Sequence, residues 1–162
     1  MNGTTQLAHV HIRAAVDHDQ RVIQNLVRSE RLNPNDLQWP NFLVACNGNS
    51  IVGTVQLRKH KDGARELGSL MVVPPLRGAG IAQQLIDVLL AGHSGVIHMI
   101  TAARHAARYQ HWGFTPVSPL QAPRSIRRNY CMGRLAGFVF ALIKQRKTRR
   151  LVILVRRPDA QA

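Results

Sequence analysis

Residues 67–90 read LGSLMVVPPLRGAGIAQQLIDVLL, and this stretch decides the fold. Leu67 to Val73 is an apolar, β-rich run that Pro74-Pro75 ends. RGAGIA, Arg77 to Ala82, then opens directly into a pattern in which Ile81, Leu85, Val88 and Leu89 share one helical face, with Gly92 placed as a stop. Gly78 and Gly80 remove side chains where a phosphate must approach. The helix start adds unpaired N–H groups and the positive end of the dipole, so the segment reads as an anion site built from backbone. A glycine-rich helix entry that holds no ligand fits the same letters.

Other phosphate motifs fit less well. No Gly-Lys-Ser/Thr occurs for a P-loop, and Gln83 stands where a dinucleotide fingerprint needs its third glycine or alanine. The strands before the turn also look like antiparallel hairpins. Phe42 to Cys46 and Ile51 to Leu57 flank Asn47-Gly48, and Asp62-Gly63 marks a second tight turn.

The rest of the chain alternates short elements. Val10 to Ala14 reads as a first strand. Asp17 with Gln20 resembles a capping box for a helix carrying Val22, Ile23, Leu26 and Val27, which closes before Pro34. Val96 to Ile100 reads as a buried strand, Thr101 as the N-cap of a helix reaching Trp112, and Gly113 as its terminator. Phe114 to Val117 begins another strand. Ser125 to about Lys147 reads as a helix and Leu151 to Val155 as a central strand. The expected fold is α/β in the α+β sense: one domain over 1–162, with a mixed, mostly antiparallel sheet and helices on both faces. A basic helix-strand region, 121–162, ends it.

The two motifs 77–82 and Tyr109 to Phe114 resemble the GNAT superfamily of acyl-CoA N-acyltransferases. The family's cofactor motif has Arg or Gln, then Gly three residues on, then Gly or Ala two further; Arg77, Gly80 and Ala82 match. The family also places a tyrosine four residues before Gly-Phe, and Tyr109, Gly113 and Phe114 match. Within the superfamily, DLQWPNFLVACNGNSIVGTVQL followed by RELGSLMVV looks like small bacterial proteins related to amino-acid N-acetyltransferases. The resemblance implies acetyl-CoA as co-substrate and transfer of acetyl to a primary amine. It puts Arg77, Gly78, Ala79, Gly80, Ile81 and Ala82 around the pyrophosphate, and the backbone of Leu70, Met71 and Val72 along the pantetheine arm. Ala102 takes the position where many relatives carry an asparagine against that arm. Glu66 is implied as the base, an ordinary salt-bridge partner of Arg58, Lys59 or Arg65 being its plainer reading. Tyr109 is implied as the acid that protonates the departing thiolate, a packed aromatic being the alternative.

Charge and composition bound the rest. The chain of 162 residues has 22 Lys+Arg against 8 Asp+Glu, and the excess concentrates after residue 120, where eleven basic residues face Asp159 alone. Such a field favours anions and carboxylate-bearing amines over polyamines. It also leaves open a coenzyme A-binding module without catalysis, and contact of the basic region with nucleic acid or an anionic membrane. A homodimer is compatible with the sequence. Eight histidines, among them His9, His11, His105 and His111, have no carboxylate or cysteine at metal-ligand spacing, so no metal is expected. Cys46 and Cys131 are too few for a disulfide framework, and the first residues lack a signal-peptide pattern, so the expected location is the cytoplasm.

Overall fold

The computed structural model describes residues 10–30, 32–144 and 150–158. Its hydrogen-bonded strands follow the order β1-β2-β3-β4-β5-β7-β6, with β1 Val10–Ala14, β2 Phe42–Asn47, β3 Ser50–Lys59, β4 Arg65–Val72, β5 Ile97–Ala102, β6 Phe114–Val117 and β7 Leu151–Arg156. The pairings β1–β2, β2–β3, β5–β7 and β6–β7 are antiparallel, and β4–β5 is parallel. The chain divides into two compact units, Met1–Leu57 with Ser69–His93, and Arg58–Gly68 with Ser94–Ala162.

In the first unit the faces of the sheet follow from strand alternation. Phe42, Val44 and Cys46 point to one face and pack with Ile23 and Val27 of α1, Gln20–Ser29. Ala45 points to the other face and is paired with Gly53. At Gly53 an added Cβ would lie 3.2 Å from Leu85 and 3.3 Å from Ile81, so glycine there lets α2, Ile81–Ala91, approach the opposite face of the sheet. The turn at Gly48, with φ +58°, closes the β2–β3 hairpin as the Asn-Gly pair predicts.

Two local expectations change in this unit. Asp17 does not cap α1: a 3-10 turn, Asp17–Asp19, precedes the helix, and Gln20 instead bridges to the Leu37 carbonyl at 2.5 Å and the Trp39 amide at 2.9 Å. Asp19 is the buried acid there. It takes both Arg13 guanidinium nitrogens, at 2.6 and 3.1 Å, and the Val16 amide at 2.9 Å. In α2, Ile81, Leu85 and Leu89 are buried, but Val88 is 45% exposed, at the edge of the apolar stripe.

In the second unit β7 lies between β5 and β6, which explains its continuous apolar run. α3, Arg124–Lys144, covers one face with Ile126, which packs with Ile153, Ala64 and Ala122. Residues 145–147 of the expected helix lie outside the described residues. The segment Ala103–Trp112 is a 3-10 helix, not an α-helix, and its N-cap is Ala102, since Thr101 still belongs to β5. Gly113 ends it at φ +79°, the left-handed geometry that glycine tolerates.

Candidate active site

The turn expected to hold phosphate is an exposed feature of the first unit. Residues 77–80 are exposed, Gly78 and Gly80 sit at φ +90° and +78°, and no atom lies within 4 Å of where a Cβ would stand on either. Gly80 is the N-cap of α2 and supplies no side-chain acceptor, so the first-turn amides keep their donor capacity for a ligand. The donor set and the open space fit a pyrophosphate. Arg77 and Ala79 are the exceptions, because their amides already reach the Pro74 and Leu76 carbonyls at 3.3 and 3.4 Å.

Arg77 braces the turn with its side chain. Its Nε donates to the Val72 carbonyl at 3.0 Å, and its terminal nitrogen lies 2.6 Å from Glu30 at the end of α1. The guanidinium thus ties the end of β4 to α1, which fixes the direction in which the backbone leaves the strand.

Upstream, Ser69 adopts φ +49° inside β4, a left-handed conformation that a non-glycine residue holds only when its surroundings impose it. Thr54 Oγ1 donates to the Ser69 carbonyl at 2.8 Å, and the Ser69 hydroxyl donates to Gln56 Oε1 at 3.1 Å; all three residues are buried. The consequence falls on Leu70, Met71 and Val72, which follow this break in the regular pleat. The Val72 carbonyl accepts from Arg77, and the Met71 carbonyl lies against Gly53.

The second unit carries the two titratable candidates. Glu66 is 5% exposed and is not a surface ion-pair partner. Its Oε1 lies 3.1 Å from Arg58, itself buried, and its Oε2 lies 2.8 Å from His60 and accepts from Asn129 of α3 at 2.9 Å. Arg58 was one of the partners the sequence suggested; Lys59 and Arg65 are not among those the carboxylate takes. A carboxylate offers roughly four lone-pair sites, and the described residues fill three of them. Beside Glu66 in the parallel register stands His98 of β5. It is buried with its Nδ1 unpartnered among the described residues, and burial pulls its pKa below 6.5, against the opposing effects of the Arg65 backbone and the Glu66 charge.

Tyr109 is half-buried in the 3-10 helix. Three residues per turn bring Trp112 to the same side, with ring centroids 6.0 Å apart, and Phe114 meets the ring edge-on at 6.3 Å. Burial raises the phenol above its ordinary pKa of 10.0, while a hydrogen bond with Thr101 and the charge of Arg108 act the other way. The hydroxyl therefore keeps its proton at neutral pH. Ala102 is the N-cap of the same helix, offering a methyl group where a polar contact was at issue.

Residues 105 and 111 are two 3-10 turns apart and fall on one side, though an α-helix would separate them. His105 accepts from Arg104 at 3.1 Å and His111 stacks on Trp112 at 3.6 Å; among the described residues no three His, Cys, Asp or Glu side chains gather. His9 lies outside the described residues.

The glycine turn between a broken β4 and α2, followed by a parallel β5 and a tyrosine before Gly-Phe, defines the GNAT class of fold. Residues 38–116, just under half of the chain, match the family model described as an acetyltransferase (GNAT) domain. The N-acetylglutamate synthase of Neisseria gonorrhoeae, solved with coenzyme A and N-acetyl-glutamate, has the same fold at TM-score 0.70 and 18% identity, over 93% of this chain and 35% of that one. This chain thus spans about a third of that protein. Rv2747 of Mycobacterium tuberculosis, solved with CoA and NLQ, matches at TM-score 0.66 and 18% identity, over 91% and 98% of the two chains. The ribosomal-protein-S18-alanine N-acetyltransferase of Escherichia coli matches at 0.63 and 11%, over 94% and 96%. No curated protein matches the sequence.

Sequence reasoning missed His60, His98 and Asn129. Alternation along β4 and β5 gives Glu66 and His98 one face each, but their register against one another is set by tertiary packing. Asn129 lies 63 residues from Glu66 and carries no local signal.

Proposed function

We propose that this protein is an acetyl-CoA-dependent N-acetyltransferase whose acceptor is the primary amine of a small carboxylate-bearing molecule, an amino acid being the simplest case. The observation that carries the reading is the turn at Gly78 and Gly80, a left-handed, open entry to α2 directly after β4. When bound, acetyl-CoA supplies the activated thioester. Its phosphates would take the α2 first-turn amides, and amides of Leu70 to Val72 would face the carbonyl as charge builds on its oxygen.

The chain's own groups handle protons. An ammonium cannot attack a thioester, so a base must first take its proton. Glu66, with three of its roughly four lone-pair sites taken by the described residues, makes that transfer directly or through water. The amine nitrogen then bonds to the acyl carbon, the carbon–sulfur bond breaks, Tyr109 gives its retained proton to the sulfur, and the second proton shed by the nitrogen, carried by water, restores the phenol. The surplus of basic residues, 22 against 8, supports a carboxylate on the acceptor and disfavours polyamines. Two cysteines without a disulfide support a reducing, cytoplasmic setting, and the narrower resemblance supports a bacterial one.

Free thiol released from acetyl-CoA across a panel of amines tests this. Turnover with amino acids above that with polyamines is expected. No thiol from any acceptor, with acetyl-CoA binding intact, would move the protein to the class of coenzyme A-binding modules.

A further inference from the structure

Most exposed apolar bulk in the second unit gathers on one side of α3. Ile126, Tyr130 and Gly133 form the inward side: Ile126 is fully buried, the Tyr130 hydroxyl donates to the Leu151 carbonyl at 3.4 Å, and a Cβ on Gly133 would lie 3.2 Å from Leu151. Steps of four, three, four and three from Arg124 give Arg128, Cys131, Leu135 and Phe138, a stripe on the opposite side. Leu135 is 64% exposed, Phe138 54%, and Met132 beside them 53%. Arg134 flanks the stripe, its guanidinium 5.7 Å from the Tyr130 ring. No acid occurs in α3, and from residue 121 onward eleven Lys and Arg face Asp159 alone. An uncovered apolar stripe with cationic flanks is unusual on a surface that has only water to meet.

We propose that α3 lies on an anionic lipid surface, with Leu135, Phe138 and Met132 entering the headgroup–acyl boundary and Arg124, Arg128 and Arg134 pairing with headgroup phosphates. Two observations select this occupant. A second copy of the chain would bring Arg124, Arg128 and Arg134 against their own counterparts with no acid on either helix to offset them. A nucleic acid would satisfy the charges but leave Leu135 and Phe138 in water. An anionic interface satisfies both. The helix lies on the surface; no helix among the described residues is long and apolar enough to cross a membrane.

The test is sedimentation of the full chain with vesicles of phosphatidylcholine alone or mixed with phosphatidylglycerol, over a salt series. Binding only to the mixed vesicles, weakening with salt, is expected. Arg128→Glu with Arg134→Glu should lower the partition coefficient roughly 25-fold or more, about fivefold per lost charge, and Leu135→Asp with Phe138→Asp about tenfold or more. Cys131, exposed on the stripe while Cys46 is buried, allows a reading on the unmutated helix: an environment-sensitive dye there should shift to the blue on mixed vesicles. The proposal is overturned by absence of binding at low salt, by equal binding to neutral vesicles, or by binding indifferent to Leu135 and Phe138. A dimer in sedimentation equilibrium that Leu135→Asp dissociates would equally overturn it, the second copy being then the occupant.

Discussion

The glycine turn at 77–82 and the cluster around Glu66 solve opposite problems. The turn is exposed, contiguous and made of backbone, with two positive-φ glycines and the start of one helix. The cluster is buried and made of side chains, drawn from β3, the loop after it, β4 and α3. A contiguous backbone site tolerates most changes in side chains around it, because its geometry is held by φ angles. A buried charge cluster tolerates few, because each member is desolvated and depends on the others.

The comparison breaks most visibly at Glu66. Glu66→Ala should destabilise the fold by about 3–5 kcal/mol, because it removes a buried carboxylate from the buried Arg58 guanidinium. Chemical denaturation measures it; a loss of stability no larger than that of an exposed substitution would show that the cluster is not energetically coupled. Next in size is Tyr109→Phe, expected to lower kcat about 100-fold while acetyl-CoA affinity stays within about twofold. Equal losses in affinity and kcat would make Tyr109 a packing residue. Asn129→Leu removes one of the two partners of Glu66 Oε2 and should cost about 1–2 kcal/mol in the same denaturation assay.

The smallest expected effect is a pH dependence at His98. Its folded pKa is depressed by burial, so as pH falls the unfolded chain takes the proton first. Stability contributed by neutral His98 is therefore complete above about pH 6.5 and is lost as pH falls through that value toward the lower folded pKa. Comparing His98→Leu with the parent chain isolates this among the other histidines. The variant should have the flatter profile between pH 6.5 and 5, and parallel profiles would remove His98 from the account.

The same contrast explains what was legible in the sequence. Glycines, prolines and apolar periodicity act over a few residues, so RGAGIA, the Asn47-Gly48 hairpin, Gly113 and the strand positions could be read directly. Thr101 as N-cap failed because β5 continues one residue past it, pairing through Ala102 with Leu151, a contact that local sequence does not encode. The 3-10 winding of 103–112 was invisible for the same reason, since 3-10 and α segments share composition. Glu66 was visible as a candidate. Its burial and its partners His60 and Asn129 were not, because they depend on the β4–β5 register and on where α3 lands.

The central claim is that the turn at 77–82 binds the donor through its backbone, and calorimetric titration of acetyl-CoA into the parent chain, Gly80→Trp and Gly48→Trp tests it most directly. Both glycines have positive φ and open space around them, so the two substitutions impose a similar backbone penalty in the same unit. The account predicts about a 100-fold or greater loss of affinity for Gly80→Trp, from a bulky side chain at the α2 entry, and parent-like affinity for Gly48→Trp. Unchanged affinity in Gly80→Trp, in a variant that remains folded, would contradict it.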